Sequence, residues 1–145
     1  MIIEKMKKEH IKAIANLEKE EFGLMDAEKT LLKELENKIA AYFVATEDNE
    51  ILGYIGIWNI CSEGEVINTA VNKNKRRLGI ATHLLNEVFS FCRENGIKTL
   101  HLEVREKNTP AVCLYEKLGF IKDGERKNYY DGKETAILMS RKFED

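Results

Sequence analysis

The chain has 145 residues, of which 43% are hydrophobic and 33% are charged, a mixture typical of a folded globular protein rather than a disordered one. Its formal net charge of −2 gives no overall basic field that would favour nucleic acid as a partner. The length suits one core, and no linker or repeat interrupts the chain, so we expect residues 1–145 to form a single domain.

The cysteines and the N-terminal segment exclude several further classes. The three cysteines are far apart and form no Cys-x-x-Cys pair, which argues against a disulfide framework and a zinc knuckle and favours buried free thiols. No apolar run resembles a signal peptide or a membrane span. His10 and His83 lack partner ligands in the sequence, so no metal site is predicted. We expect a cytoplasmic protein without membrane contact.

The first half of the chain predicts a short strand over 1–6 and two helices. Apolar residues over 8–21 fall largely on one helical face. A second helix is predicted over 27–35, with Asp26 as candidate N-cap. Three leucines of that helix are expected to point inward: Leu31, Leu32 and Leu35.

The middle of the chain predicts three strands. Two β-rich runs over 42–60 flank the polar turn Glu-Asp-Asn-Glu and predict a hairpin. Residues 63–71 predict another strand. The apolar period then changes from strand-like to helical, and a helix ending at Gly96 is predicted from six inward positions: Ala81, Leu84, Leu85, Val88, Phe89 and Cys92.

The last third of the chain predicts a strand, a helix and two further strands. In Thr-Leu-His-Leu-Glu-Val, over 99–104, His101 and Glu103 share one face and the apolar residues share the other. Thr109 as cap and Pro110 in the first turn predict a helix that Gly119 ends. The complete order is β-α-α-β-β-β-α-β-α-β-β. This order predicts an α/β fold with a mixed, partly antiparallel sheet and helices on both faces.

The segment Arg-Arg-Leu-Gly-Ile-Ala, over 76–81, lies where a predicted strand meets a predicted helix. The free N–H groups and the dipole of a helix N-terminus favour an anion such as a diphosphate. Gly79 permits close approach of a ligand, and Arg76 and Arg77 can donate to phosphate oxygens. The alternative is a solvated basic run. The segment is neither a Walker A motif nor the dinucleotide fingerprint.

This segment resembles the Arg/Gln-x-x-Gly-x-Gly/Ala signature of the GNAT superfamily of acetyl-CoA-dependent N-acetyltransferases. That superfamily has the order of elements predicted above, and the resemblance covers essentially the whole chain. Within it, the Leu-Glu-Val-Arg, Leu-Tyr and Gly-Phe motifs over 102–120 resemble bacterial ribosomal-protein N-terminal alanine acetyltransferases and their archaeal protein N-terminal relatives.

The resemblance implies acetyl-CoA as cosubstrate, held in a cleft where two central parallel strands splay apart. The backbone of Thr69, Ala70 and Val71 would pair with the pantetheine arm, and Asn108 would bind the cofactor from the loop before the last helix. The pyrophosphate would be held by the amides of seven consecutive residues: Arg76, Arg77, Leu78, Gly79, Ile80, Ala81 and Thr82.

Acetyl transfer requires that the amine lose a proton, that the carbonyl oxyanion be stabilised and that the leaving thiolate be protonated. The resemblance implies Glu103 as general base, through a water, and Tyr115, beside the cofactor, as general acid. The N–H of Val71 would face the oxyanion. Without the resemblance, a solvated or salt-bridged strand carboxylate is the better interpretation of Glu103, and packing at the edge of the core explains Tyr115 equally well.

The expected acceptor is a protein N-terminal α-amine, such as that of a ribosomal protein. A peptide α-amine has a pKa near 7.7–8.0, so a modest base suffices. A small amine, such as a polyamine, an amino acid or an aminoglycoside, is the alternative acceptor, and a non-catalytic CoA-binding module is the third interpretation. Because some members of the superfamily use a carboxylate on the neighbouring strand, Glu65 is the reserve candidate for the base. Supporting polar roles are open for Asn68 and His101. Three residues after the first helix are candidates to line the acceptor groove: Phe22, Leu24 and Met25.

Overall fold

The computed structural model describes residues 1–23, 25–75, 79–130 and 134–143; for residues 128–130 it describes the backbone only. Within these residues one seven-stranded sheet is formed by β1 (Ile2–Lys5), β2 (Ala40–Glu47), β3 (Glu50–Ile60), β4 (Glu63–Val71), β5 (Thr99–Arg105), β6 (Ile121–Tyr130) and β7 (Glu134–Lys142). The helices are α1 (Ile11–Phe22), α2 (Ala27–Glu36), α3 (Ile80–Glu94) and α4 (Thr109–Lys117), with short 3₁₀ turns at Lys8–His10 and Lys73–Lys75. The order of strands and α-helices is the predicted one.

The strands lie in the order β1-β2-β3-β4-β5-β7-β6. Neighbours pair antiparallel except β4 and β5, which pair parallel. A parallel pair needs a crossover connection, and α3 provides it. The mixed sheet predicted from the sequence is therefore confirmed, with the parallel pair at its centre.

Two apolar cores lie on the two faces of the sheet. Strand residues alternate between them: Phe43 and Ile55 face the core that contains α3, whereas Tyr42 and Tyr54 face the core that contains α1 and α2. None of the described residues of β5, β6 or β7 belongs to the α1–α2 core. On this face, α1 and α2 consequently leave the half of the sheet formed by β5, β6 and β7 uncovered, and a groove can form there.

The prediction that three leucines of α2 point inward is wrong for two of them. Leu31 is 2% exposed, but Leu32 is 39% and Leu35 is 38% exposed. The helix packs against α1 and β2, and a helix at the margin of a sheet buries a narrow stripe rather than a wide face. One leucine is enough to fill that stripe.

The cysteines differ from the expectation of buried thiols. Cys92 is buried in the α3 core, whereas Cys61 and Cys113 are exposed. Cys61 lies in the tight turn between β3 and β4, with a positive φ of 50°, where a side chain has no core to enter. No helix among the described ranges is both long enough and apolar enough to cross a bilayer.

Candidate active site

A gap opens between the two parallel strands at the centre of the sheet. β4 and β5 pair over Glu63–Glu65 and Thr99–His101, and no pairing between them continues beyond this in the part of the chain that is described. On its other edge β4 carries a bulge, because Asn68 pairs with Gly56 while Val66 pairs with Ile57. The residue between them is extra, and such a bulge bends its strand. The bulge thus accounts locally for the divergence of β4 from β5.

Backbone polar groups of β4 point into this gap. Asn72 donates its N–H to the carbonyl of Leu52 on β3 at 2.8 Å. Because successive residues of an antiparallel ladder direct their N–H and C=O groups to opposite edges, those of Val71 and Thr69 face the gap and those of Ala70 face β3. Val71 therefore directs its N–H into the gap, and its contact with the oxyanion stays a prediction.

The N-terminus of α3 comes next after β4 among the α-helices and strands, beyond the 3₁₀ turn Lys73–Lys75. Gly79 is its N-cap, with a φ of 75°, a conformation that favours glycine. Among the described residues, the nearest neighbour of a Cβ on Gly79 would be 3.9 Å away, at His83, so these residues leave room for a ligand to approach the backbone closely. Ile80 is buried against the sheet, and Ala81 and Thr82 are half-buried. The predicted phosphate-binding residues Arg76, Arg77 and Leu78 lie outside the described residues.

Glu103 lies in a groove of about 750 Å³ over the part of the sheet that α1 and α2 leave uncovered. Its side chain is 28% exposed, and its Oε1 lies 3.1 Å from Nη1 of Arg126. The carboxylate is therefore both ion-paired and accessible from the groove. Polar residues from four strands line the groove around it, among them Glu63, Glu65, His101, Asp123, Arg126 and Lys142.

Tyr115 lies on the opposite side of the sheet from Glu103. It packs against the α3 core from α4, and its ring contacts that of Phe120 edge-on with centroids 5.6 Å apart. Burial raises the pKa of the Tyr115 phenol, so the hydroxyl keeps its proton at neutral pH. A general acid must be protonated before it can donate its proton.

Asn108 caps α4, which corrects the prediction that Thr109 is the cap. The Oδ1 of Asn108 accepts from the backbone N–H of Ala111 at 3.3 Å, the usual geometry of an N-cap side chain. Thr109 is the first helical residue. Contact between Asn108 and the cofactor stays a prediction.

The three polar residues considered as helpers have separate surroundings. His101 Nε2 lies 3.0 Å from Oε1 of Glu63. Glu65 is exposed and lines the groove that holds Glu103. Asn68 donates from Nδ2 to the hydroxyl of Tyr42 at 3.2 Å, on the side of α1 and α2. The structure thus brings Glu65 and His101 into one groove with Glu103.

Comparison with known proteins assigns the chain and its fold to one family. The acetyltransferase (GNAT) family model matches residues 9–120. An N-alpha-acetyltransferase of Saccharolobus solfataricus is 41% identical over 114 residues, covering 70% of this chain and 68% of the relative. The ribosomal protein bS18-alanine N-acetyltransferase of Escherichia coli K12 is 35% identical over 101 residues, covering 68% of each.

The crystal structure of the ribosomal-protein-S18-alanine N-acetyltransferase from Escherichia coli superposes with a TM-score of 0.90, at 28% identity, over 99% of this chain and 94% of that one. The chain belongs to the GNAT acetyltransferase family. It is therefore an acetyl-transferring enzyme, and acetyl-CoA is the acetyl donor that GNAT enzymes use. The predicted resemblance and fold class are confirmed.

This GNAT acetyltransferase also contains a buried carboxyl group that the sequence analysis did not single out. Glu18 on α1 is 3% exposed, and its Oε2 has no hydrogen-bond partner among the described residues. It borders a cavity of about 290 Å³ with Asn68 and residues at the start of α2. A sequence signal existed, because Glu18 follows Ile11 and Ile14 at i+7 and i+4 on the apolar stripe of the helix.

Of the apolar residues predicted to line the acceptor groove, one borders the cavity beside Glu18 and one lies elsewhere at the end of α1. Met25 borders the cavity and is 74% exposed, while Phe22 is 57% exposed at the end of α1. Leu24 lies outside the described residues. Their role at the acceptor remains a prediction.

Replacing Glu18 with glutamine is expected to stabilise the fold at alkaline pH. Burial raises the pKa of Glu18 from 4.5 to about 7. A raised carboxyl pKa gives stability that is complete below pH 4.5 and is lost as the pH rises towards 7. At about 1.4 kcal/mol per pKa unit, the free energy of unfolding of the wild type falls by roughly 3 kcal/mol over this pH range. The variant has no carboxyl group at this position and does not lose this stability.

Urea unfolding at pH 4.5 and pH 8 measures this difference. The free energies of unfolding of wild type and Glu18→Gln should agree at pH 4.5 and separate at pH 8, with the variant more stable. Glu20→Gln is the matched control, since Glu20 is exposed on the same helix. Equal behaviour of the two variants at both pH values would show that Glu18 is ionised at little cost.

Proposed function

We propose that this acetyltransferase acts on the N-terminal α-amine of a protein, with a ribosomal protein as the candidate acceptor. The observation that carries the proposal is the position of Glu103 in a groove that runs over an uncovered sheet face. Such a groove suits a chain that enters from solvent, whereas a small amine is usually held in a closed cavity. The names of the two relatives, an N-alpha-acetyltransferase and a ribosomal protein bS18-alanine N-acetyltransferase, support the same class of acceptor.

The described residues beside the gap fit acetyl-CoA in two respects. The N–H and C=O groups of Thr69 and Val71 that face the gap offer an extended chain the hydrogen bonds of an added strand. The N-terminus of α3 suits a diphosphate, because Gly79 has no side chain that would obstruct a ligand there. When bound, acetyl-CoA supplies an activated acetyl thioester.

The side chains of the site then divide the proton transfers between the two faces of the sheet. Glu103 takes a proton from the incoming amine, directly or through a water, on the groove side. Tyr115 donates its phenolic proton to the leaving sulfur from the α4 side. The N–H of Val71 donates to the carbonyl oxygen as negative charge develops on it. Acid and base need no contact with each other in this arrangement, because each would reach the reacting atoms in the gap from its own face of the sheet.

An acceptor panel tests the proposed function. Purified enzyme and acetyl-CoA are incubated with short peptides of varied N-terminal residue, with the same peptides blocked at the α-amine, and with spermidine, and free thiol is followed. We expect thiol release with free N-terminal peptides, no release with blocked ones, and a kcat/KM for spermidine at least about tenfold lower. Release with spermidine alone would remove the peptide acceptor and leave a small-amine acetyltransferase.

A further inference from the structure

We propose that Arg126 is a positioning residue that holds the Glu103 carboxylate in the orientation needed for proton removal. The inference rests on the proposed role of Glu103 as base. It adds a residue on β6, an edge strand that lies two positions from β5 in the sheet, to the catalytic arrangement. The contact that carries it is the ion pair between Nη1 of Arg126 and Oε1 of Glu103, at 3.1 Å.

The sheet topology explains how Arg126 reaches Glu103. β7 lies between β5 and β6, so the pair spans the full width of one strand. Leu138 is opposite Glu103 on β7, and Gly124 is opposite Leu138 on β6. Gly124 has no side chain, and a Cβ built there would meet none of the described residues within 4 Å. Arg126, two residues further along β6, therefore has open space over Leu138 through which to reach the carboxylate.

The geometry of the pair is compatible with catalysis by Glu103. The closest contact engages one carboxylate oxygen, and a carboxylate has about four lone-pair sites. A guanidinium at Oε1 therefore restricts rotation of the carboxylate while a water or an amine can still donate to it from the groove. Because the Arg126 side chain is 52% exposed and that of Glu103 is 28% exposed, such a pair contributes little to folding. Its removal should change the reaction more than the stability.

A neighbouring ion pair provides a matched control. Arg105 and Glu134 form a second arginine–glutamate ion pair, between β5 and β7, and the Arg105 side chain is also 52% exposed. Arg105→Gln removes the same charge from that pair and leaves the Arg126–Glu103 ion pair in place. A general effect of lost positive charge near the groove would therefore appear in both glutamine variants.

The test compares Arg126→Gln, Arg126→Lys and Arg105→Gln, and also places Arg126→Gln in a Glu103→Gln background. Steady-state kcat and KM are measured for acceptor peptide and acetyl-CoA, with thermal unfolding as a check of the fold. We expect Arg126→Gln to lower kcat about tenfold with an unchanged KM for acetyl-CoA. Arg126→Lys should stay within about threefold of wild type because it returns a cation, and Arg105→Gln should match wild type.

The double variant decides whether Arg126 acts through Glu103. If it does, Arg126→Gln causes no further loss once Glu103 is glutamine, because the two residues form one coupled unit. An equal loss in both backgrounds, or a wild-type kcat for Arg126→Gln, overturns this inference and leaves the proposed function in place. A wild-type kcat for Glu103→Gln instead removes the proposed base, and this inference with it.

Discussion

Glu103→Gln is expected to lower kcat by about 10²- to 10⁴-fold, which is the usual contribution of a positioned general base. Glutamine has the size and shape of glutamate, so the strand and the groove should be unchanged. What the amide cannot do is accept a proton from the attacking amine. The KM for acetyl-CoA should stay close to the wild-type value, because Glu103 faces the groove and not the N-terminus of α3.

The loss should depend on pH in a particular direction. A peptide α-amine titrates near pH 7.7–8.0, so above that range it reaches the enzyme already deprotonated. The ratio of wild-type to variant kcat/KM is therefore expected to shrink as the assay pH is raised from 7 to 9. A ratio that stays constant over this range would argue that Glu103 orients the acceptor rather than removes its proton.

Glu65→Gln is the informative control for this experiment. Glu65 lines the same groove from β4 and is the other carboxylate that the sequence offered as a base. We expect it to retain kcat within about threefold of wild type. If Glu65→Gln were the impaired variant and Glu103→Gln were not, the base would be on β4 and the assignment of the two carboxylates would be reversed.

The sequence predicted those parts of the fold that depend on local patterns. The alternation of β5 separated His101 and Glu103 from the apolar residues on its other face, and the structure confirms that separation. The helical period of α3 likewise selected Leu84, Leu85 and Val88, which are all buried. Both elements carry strong periodicity, and neither depends on the choice of a neighbouring strand.

Features that depend on pairing between distant segments were not predictable in the same way. The bulge in β4 is defined by its register against β3, and this register cannot be predicted from the sequence of one strand alone. The contact of Arg126 with Glu103 depends on β7 lying between β5 and β6, although β6 precedes β7 in the chain. The sequence placed Glu103 on the correct face but could not show which cation lies beside it.

Errors of one position arose where two neighbouring residues suit the same role. Asn108 and Thr109 are both good N-cap residues, and the structure selects Asn108. A similar limit applies to α2, where three leucines fit an inward stripe but the margin of the sheet leaves space for Leu31 alone among them. The width of the buried stripe depends on the elements that the helix packs against and cannot be predicted from the sequence of the helix.

Tyr115→Phe is expected to lower kcat by about 10²-fold or more while the dissociation constant for acetyl-CoA changes less than about threefold. The substitution removes one oxygen and keeps the ring, so the edge-on contact with Phe120 is preserved. Burial raises the pKa of Tyr115 above its ordinary value of about 10, so the wild-type phenol is protonated throughout pH 7–9. The defect of the variant should accordingly persist across that range, unlike the defect of Glu103→Gln.

Tyr54→Phe separates loss of the acid from loss of a tyrosine hydroxyl in general. Tyr54 is fully buried, and its hydroxyl has no hydrogen-bond partner among the described residues, so its removal should leave kcat unchanged and the fold at least as stable. Weakened acetyl-CoA binding in Tyr115→Phe, with a normal kcat at saturation, would make Tyr115 a binding residue instead of the acid. The leaving sulfur would then take its proton from water, and catalysis would depend on the groove side of the sheet alone.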